Sequence, residues 1–233
     1  MLKLENTGVF GWEATIRGMR NPMNSWNKSD SGWGFVPSQT CPTCDRYECG
    51  YIIGENDLKL MKSLSKAGND HAKFLRMINV TVDITAPLYW WKEYDTYKVG
   101  TVANSCSTMH KIADKEFTLE DFSCEHLTVE SITFGLEPVI DILNKNRELY
   151  IQWENAGEEK KNLWRQMIQL LPTSYNQKRT VMLNYEVLAN IYKSRRNHKL
   201  DEWHTLCDWI SELPYSELIT GEEYDVEFER RKL

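Results

Sequence analysis

Two groups of residues in this chain have the types and spacing to do chemistry. The first is Cys106, which lies in a loop of small polar residues beginning at Gly100, with Lys98 just before the loop. A neighbouring cation lowers the pKa of a thiol, and the thiolate is the nucleophilic form. Cys106 and Lys98 are therefore candidate catalytic residues, and His110 is the nearest candidate base. The alternative interpretation is a small, inert loop thiol.

The second group is a cysteine knuckle made of Cys41, Cys44 and Cys49. Two thiolates separated by two residues can bind one zinc ion, and Cys49 could supply a third ligand. No fourth ligand is obvious in the neighbouring sequence. We therefore favour free thiols in a loop over a zinc site.

Hydrophobic periodicity identifies the elements that must position Cys106. Alternating apolar residues predict a strand over 75–84, which ends just before Ala86-Pro87. An aromatic helix is predicted over 88–94. A polar loop at the end of a helix is a common place for ligand binding, because the rigid element holds a loop that can approach the ligand. Further helices are predicted from apolar spacing and Gly or Pro stops, over 10–19, 55–67, 132–150, 158–171 and 201–212.

Three polar residues follow a Leu-Pro pair in the C-terminal half. Leu171-Pro172 is followed by Asn184, Asn190 and Arg195. The apolar residues between them predict a helix, and on a helix the three polar side chains need not share one face. Contact of all three with one ligand would require a site that spans the helix and its end. The alternative is a solvated helix face.

The order and spacing of these residues resemble those of the flavin-dependent thymidylate synthases, the ThyX family. That family has an Ala-Pro after a strand, an aromatic helix, an Arg-His-Arg, a Gly and a Ser. Laid on this chain without gaps, these fall on Ala86-Pro87, Thr96-Tyr97-Lys98, Gly100 and Cys106. The family's Leu-Pro, two Asn and Arg fall at the same spacing on Leu171-Pro172, Asn184, Asn190 and Arg195. The spacing of these residues matches that of the family, whereas the residues at the three Arg-His-Arg positions differ.

The resemblance implies an α/β (α+β) fold. This is a twisted, mostly antiparallel sheet flanked by helices, with a helical C-terminal part. It implies one ThyX-like domain over 1–233, in which the Cys-rich stretch around 24–54 is an insertion. It also implies a homotetramer with active sites between subunits, and the aromatic segment around Trp90 and Trp91 suits such an interface.

The resemblance also assigns expected ligand contacts. In the family the two Asn contact the flavin and the Arg binds the phosphate of the substrate nucleotide. Here Lys98 lacks the planar fork of the family's second Arg, and Thr96 lacks the charge of the first. The cofactor-binding residues expected from the resemblance, with Lys73 as a cation for phosphate, are Lys73, Tyr97, Asn184 and Asn190. The expected substrate-binding residues are Glu93, Asn104, Arg165 and Arg195.

Composition limits the class of protein. Among 233 residues, 41% are hydrophobic and 27% are charged, which is ordinary for a globular domain. The net charge of −6 argues against binding of extended nucleic acid, because phosphate backbones need a basic footprint. No apolar run has transmembrane length, and the N-terminus lacks an apolar signal segment. We expect a cytoplasmic protein with reduced cysteines and no membrane partner.

Three functional hypotheses remain. The first is a divergent ThyX-like enzyme that binds FAD and a pyrimidine deoxynucleotide and methylates or modifies its base, with reduced folate and NADPH as co-substrates. Attack on C6 of the pyrimidine would suit Cys106. The second is a catalytically inactive ThyX-like scaffold that binds a nucleotide without turnover, which accounts for the missing Arg-His-Arg. The third is a structural or partner-binding oligomer built around the cysteine knuckle.

Overall fold

The computed structural model describes residues 2–37, 47–68, 70–154 and 156–221. Six strands are present in this part of the chain, with bounds β1 Lys3–Phe10, β2 Gly32–Pro37, β3 Tyr47–Ile52, β4 Asn79–Pro87, β5 Val102–Ser105 and β6 Asn176–Asn184. Four of them form one sheet in the order β1-β4-β6-β5. The other two, β2 and β3, form a separate antiparallel hairpin in which Gly34 pairs with Gly50.

Helices connect these strands. Their bounds are α1 Trp12–Arg20, α2 Glu55–Lys66, α3 Leu88–Tyr94, α4 Thr108–Lys111, α5 Val129–Ser131, α6 Glu137–Gln152, α7 Glu158–Leu170, α8 Tyr185–Arg195, α9 Asp201–Ser211 and α10 Glu217–Thr220. A π-helical turn over Ile132–Leu136 leads into α6, and a 3-10 segment covers Ala72–Met77. None of the described helices is long and apolar enough to cross a membrane.

The chain divides into two compact units. The first unit comprises Met1–Asn6, Val82–Lys98 and Ala103–Val181. Its helices α6 and α7 pack together around a buried cluster that includes Leu143 and Met167, both with no exposed surface. The full cluster is Ile112, Phe117, Phe122, Leu136, Ile140, Leu143 and Met167.

The aromatic helix α3 belongs to the interior of the first unit. Trp90 and Trp91 are 0% and 1% exposed. The Trp91 indole donates a hydrogen bond to the Gln177 carbonyl at 2.9 Å, and the Arg179 guanidinium lies 4.1 Å from the Trp91 ring. The expectation that Trp90 and Trp91 form a subunit interface is therefore wrong, because burial within their own chain leaves neither ring available to a neighbour.

The second unit comprises Thr7–Thr81, Val99–Val102 and Met182–Leu233. Helix α8 is central in it, since it contacts α9, α10 and the 3-10 segment before β4. A buried ion pair joins α1 to α2, with Arg20 Nε 2.6 Å from Asp57 Oδ1. Ser29 and Ser31 donate hydrogen bonds to the other Asp57 oxygen at 2.6 Å each. Together with the hydrogen bond from Arg20 to the Ser25 carbonyl at 3.2 Å, this network fixes the path of the chain between α1 and β2.

Most of the predicted elements are present. The helices predicted over 55–67, 88–94, 158–171 and 201–212 agree with α2, α3, α7 and α9 within one residue at each end. The strand prediction began too early, because 72–77 is a 3-10 segment and β4 starts at Asn79. Only β4 was predicted as a strand; β1, β2, β3, β5 and β6 were not predicted. Among the cysteines of the knuckle, Cys41 and Cys44 lie outside the described residues and Cys49 is exposed on β3.

Candidate functional site

One face of α8 lines a cavity of ≈ 450 Å³ in the second unit. Glu186, Ala189, Asn190 and Lys193 lie along it at the three- and four-residue spacing that puts side chains on one side of a helix. Arg196, just beyond the helix end, continues the same face. Of the three polar residues aligned with the family's ligand contacts, only Asn190 lines this cavity. We call it the Asn190 cavity.

Positive charge dominates the polar lining of the Asn190 cavity. Lys62, Lys66, Lys193 and Arg196 all contribute to it. The lining carboxylates are already paired: Glu217 Oε1 lies 3.3 Å from Lys62 Nζ, and Glu186 Oε2 lies 2.7 Å from Arg76 Nε. Within the described part of the chain, Lys66 and Lys193 form no ion pair. The positive charge of these lysines favours binding of an anion in the cavity.

A buried hydroxyl also lines the Asn190 cavity. Ser65 lines the cavity and is half-buried, and its Oγ has less than 1 Å² of exposed surface and no hydrogen-bond partner among the described residues. A buried polar group without a partner costs free energy, so such groups usually receive a bond from water or a ligand. Leu75, Leu218 and Ile219 supply an apolar wall beside it. The lining thus combines cations, an amide, an unpaired hydroxyl and apolar surface.

Asn184 has a structural role at the junction of β6 and α8. Its side-chain oxygen accepts a hydrogen bond from Val187 N at 3.1 Å, which caps the helix. Gly100 lies against this cap: a Cβ built on Gly100 would be 3.1 Å from Asn184 Nδ2, and the backbone φ of Gly100 is +80°. Two positions of the predicted frame, Gly100 and Asn184, are therefore neighbours in space.

Arg195 and Lys73 do not line the Asn190 cavity. The Arg195 guanidinium lies 4.7 Å from the ring of Trp203, which is fully buried, in a cation–π contact. Lys73 is exposed and lies 3.9 Å from Asp70. The α8 spacing explains the separation of Arg195, because it lies five residues after Asn190 and points to another side of the helix.

Cys106 lines a different cavity, of ≈ 530 Å³, in the first unit. Its backbone N donates a hydrogen bond to Lys178 O at 2.9 Å, and Gln177 Nε2 donates to Cys106 O at 3.0 Å. The thiol is exposed. Tyr175, whose pKa is raised mainly by burial, is another lining residue. We call this the Cys106 cavity.

The lysines that line the Cys106 cavity are all in ion pairs. Lys111 Nζ lies 2.8 Å from Asp114, and Lys115 pairs with Asp121. Lys178 contacts Asp83 at 3.2 Å and also Glu5 at 3.5 Å. The hydrogen bond from Lys111 to Asp114 is the main reason that the pKa of Lys111 is raised. The lysines nearest to Cys106 are therefore engaged by carboxylates.

The other residues predicted around Cys106 are dispersed. Lys98 is exposed and does not line the Cys106 cavity. His110 lines a separate cavity with Trp164, where its backbone N also helps to close α4 on Ser107. Asn104 is exposed on β5. Cys106 and His110 therefore line different cavities.

Glu93, Tyr97 and Arg165 complete the predicted set. Glu93 and Tyr97 are half-buried, and the Tyr97 backbone N donates to Tyr94 O at 2.9 Å, which continues the turn after α3. Arg165 is exposed on α7 and pairs with Glu158 at 2.8 Å. No group of three or more metal-ligating side chains occurs in the residues that the structure describes.

Sequence analysis missed the contribution of α2 to the Asn190 cavity. Lys62, Ser65 and Lys66 lie three and four residues apart, so they occupy one side of α2. The signal available in the sequence was a pair of lysines and a serine at helical spacing. That signal alone does not distinguish a ligand-binding face from an ordinary solvated one.

Comparison with known proteins gives a structural match only. No family model and no curated protein matches the sequence. A crystal structure of thymidylate synthase X (ThyX) from Helicobacter pylori with FAD and dUMP has a TM-score of 0.61 and 14% identity, covering 96% of this chain and 98% of that chain. A second structure of the Helicobacter pylori enzyme with the same ligands has a TM-score of 0.61 and 15% identity, covering 95% and 98%. The predicted ThyX-like fold of helices and antiparallel sheet is confirmed.

Proposed function

We propose that this chain is a ThyX-like nucleotide-binding protein that holds the phosphates of FAD in the Asn190 cavity. The observation that carries this proposal is the lining of that cavity. Lys66 and Lys193 lack ion pairs within the described residues, and Ser65 Oγ lacks a hydrogen-bond partner there. Similarity to ThyX structures that contain FAD and dUMP supports the choice of ligand.

The residues present fit a flavin dinucleotide in charge and in polarity. A pyrophosphate carries negative charge that Lys66, Lys193 and Arg196 would balance. Asn190 offers amide donors and an acceptor, and Ser65 offers a hydroxyl that needs a partner. The volume of ≈ 450 Å³ lies within the usual range for ligand cavities. When bound, flavin supplies hydride transfer, while the chain supplies binding and orientation.

A pyrimidine deoxynucleotide is the proposed second ligand, in the manner of the dUMP in the similar structures. As an enzyme, the chain would use reduced folate as the carbon donor and NADPH as the reductant, in a homotetramer. Cys106 and Lys98 remain the proposed catalytic residues. Arg195 would have to leave the Trp203 ring in order to contact a nucleotide phosphate.

One specific observation favours a second candidate, nucleotide binding without turnover. Thr96 stands where the family has an Arg, and its hydroxyl donates to the Glu93 carbonyl at 2.7 Å. A hydroxyl engaged in this way supplies no charge to an anionic ligand. A scaffold that keeps the cofactor cavity and loses these charges would bind nucleotides and leave them unchanged.

Two measurements test these candidates in sequence. The visible absorption spectrum of protein purified without added cofactor, repeated after incubation with FAD and removal of excess, reports flavin binding. We expect a flavin band and saturable binding in a titration with FAD. Absence of both would refute the proposal. NADPH oxidation that depends on dUMP and reduced folate then separates the enzyme from the scaffold, because only the enzyme oxidises NADPH under these conditions.

A further inference from the structure

The second unit contains another cavity, walled by aromatic rings. Its volume is ≈ 860 Å³, and no residue lines both it and the Asn190 cavity. Phe10 and Trp33 line it while 56% and 64% exposed. Burying an aromatic side chain removes roughly 150–250 Å² from water, so a ligand that covers both rings would gain free energy from their burial. We call this the aromatic cavity.

The rings around the aromatic cavity are held in place by other rings. The centroids of Trp12 and Tyr215 are 5.2 Å apart, and those of Trp33 and Tyr51 are 5.6 Å apart, both edge to face. Tyr215 has a φ of 55°, in the left-handed region that bulky residues rarely adopt. Backbone strain of this kind persists where surrounding contacts enforce it, and it is concentrated at binding sites. The aromatic side chains that line the cavity are therefore fixed in position by their neighbours.

Charge in the aromatic cavity decides which ligand fits. Glu13 Oε2 accepts a hydrogen bond from the Trp33 indole at 3.3 Å, and Glu13 Oε1 lies 3.7 Å from Arg17. Both carboxylate oxygens of Glu13 are therefore engaged. The Arg17 side chain is 65% exposed, and its five donors far exceed that one long contact. Glu13 and Arg17 together carry no net charge, but the guanidinium keeps donors beyond its contact with Glu13 that can hydrogen-bond an anionic group.

We propose that the aromatic cavity binds a small molecule with a planar aromatic ring and one anionic group. The ring stacks on Trp33 and Phe10, and the anionic group contacts Arg17. A concave site of this size suits a small molecule better than the flat surface of a protein partner. Nucleoside monophosphates and aromatic carboxylates share this chemistry. The proposal goes beyond the FAD site and does not depend on it.

Isothermal titration of the whole chain with AMP, adenosine and anthranilate tests the proposal. We expect AMP or anthranilate to bind saturably, and the tighter of the two identifies the source of the anion. Because stacking on an aromatic ring contributes substantially to base binding, Trp33→Ala should weaken binding by roughly tenfold or more. Arg17→Gln should weaken binding of AMP by about tenfold and leave adenosine unchanged.

Matched variants keep this test falsifiable. Trp26→Ala is the control for Trp33→Ala, because Trp26 is also half exposed in the second unit and does not line the cavity. Trp33→Phe keeps a stacking ring and should retain most of the affinity, which separates stacking from loss of the hairpin. The proposal is overturned if neither anion binds, or if Trp33→Ala and Arg17→Gln leave the affinities unchanged. It is also overturned if the double variant Lys66→Gln, Lys193→Gln abolishes binding while the Trp33 and Arg17 variants do not, because the ligand would then bind in the Asn190 cavity.

Discussion

The Asn190 cavity and the Cys106 cavity both contain lysines, yet they differ in what those lysines contact. Around Cys106, each lining lysine forms an ion pair with a carboxylate of the same unit. Around Asn190, Lys66 and Lys193 have no such pair in the described part of the chain, and Ser65 Oγ has no hydrogen bond there. Paired charges contribute to the fold, whereas unpaired ones are available to a ligand. This difference is the reason that we propose the Asn190 cavity, rather than the Cys106 cavity, as the ligand-binding site.

The largest effect is expected where a charge pair is fully buried. Asp57→Asn removes the partner of Arg20, whose side chain is 5% exposed, so an unpaired buried charge remains. Loss of one partner of such a pair costs about 3–5 kcal/mol, which lowers the melting temperature of a chain of this size by roughly 6–20 °C. Thermal unfolding followed by circular dichroism measures it. A melting temperature within 2–3 °C of the wild type, by that scale, would contradict a structural role for the pair.

The next largest effect concerns ligand binding. Lys66→Gln combined with Lys193→Gln should weaken FAD binding by at least about 100-fold, since each charge-assisted contact contributes about 1.5–3 kcal/mol. The melting temperature should change little, because neither lysine forms an ion pair in the described structure. The control is Lys59→Gln with Lys199→Gln, which removes two exposed lysines outside the cavity. Equal affinities for the two double variants would contradict the assignment.

A smaller effect is expected from the unpaired hydroxyl. Ser65→Ala should weaken FAD binding by about fivefold, which corresponds to the roughly 1 kcal/mol of a neutral hydrogen bond. It should also leave stability unchanged or slightly increased, because the buried hydroxyl has no partner within the described chain. Ser63→Ala, on an exposed position of the same helix, is the control. Unchanged FAD affinity in Ser65→Ala would show that the hydroxyl does not meet the ligand.

The paired charges of the first unit predict a pH dependence. Hydrogen bonds from Thr180, Asn6 and Lys178 lower the pKa of Asp83 from 3.8 to about 2. Because the pKa is lower in the folded state, Asp83 contributes stability above about pH 4, and that contribution is lost as the pH falls towards about 2. Asp83→Asn should therefore lower the melting temperature at pH 6. The melting temperature of this variant should also fall less steeply than that of the wild type between about pH 4 and pH 2. A parallel decline in both proteins would contradict this.

The smallest effect is expected at the Cys106 cavity. Lys111→Gln with Lys115→Gln should leave FAD affinity unchanged and change stability little, because exposed ion pairs are screened by solvent. Cys106→Ser should likewise leave FAD affinity unchanged, because the thiol lies outside the Asn190 cavity. Titration with FAD measures both. A tenfold loss of affinity in either variant would remove the distinction between the two cavities.

Local periodicity predicted much of the fold, because most helices have a distinct apolar face. Helix α9, for example, buries Trp203, Leu206, Cys207 and Ile210 as its spacing predicted. Strand β1 lacks such a signal, since Asn6 has a φ of 54° and the strand does not alternate buried and exposed residues. Strand β5 is exposed along its whole length. Its pairing in the sheet, rather than its side chains, makes it a strand.

The candidate site was only partly predictable for a related reason. Asn190 was identified by the resemblance to the ThyX family, and the helical period places it on one face with Glu186 and Lys193. The contribution of Ser65 and Lys66 depends on tertiary packing of α2 near α8, over a separation that sequence patterns do not encode. The engagement of Arg195 by Trp203 is likewise a tertiary contact. Spacing therefore predicted a helix here but not which side chains line the Asn190 cavity.

Hydrogen exchange measured by mass spectrometry, with and without saturating FAD, tests the central claim most directly. Binding in the Asn190 cavity should slow amide exchange in peptides from α2 and from the second half of α8. Peptides covering 106–121, which include the Cys106 cavity, should exchange at the same rate in both samples. Protection confined to 106–121, or no protection of α2 and α8 at saturating FAD, would contradict the account.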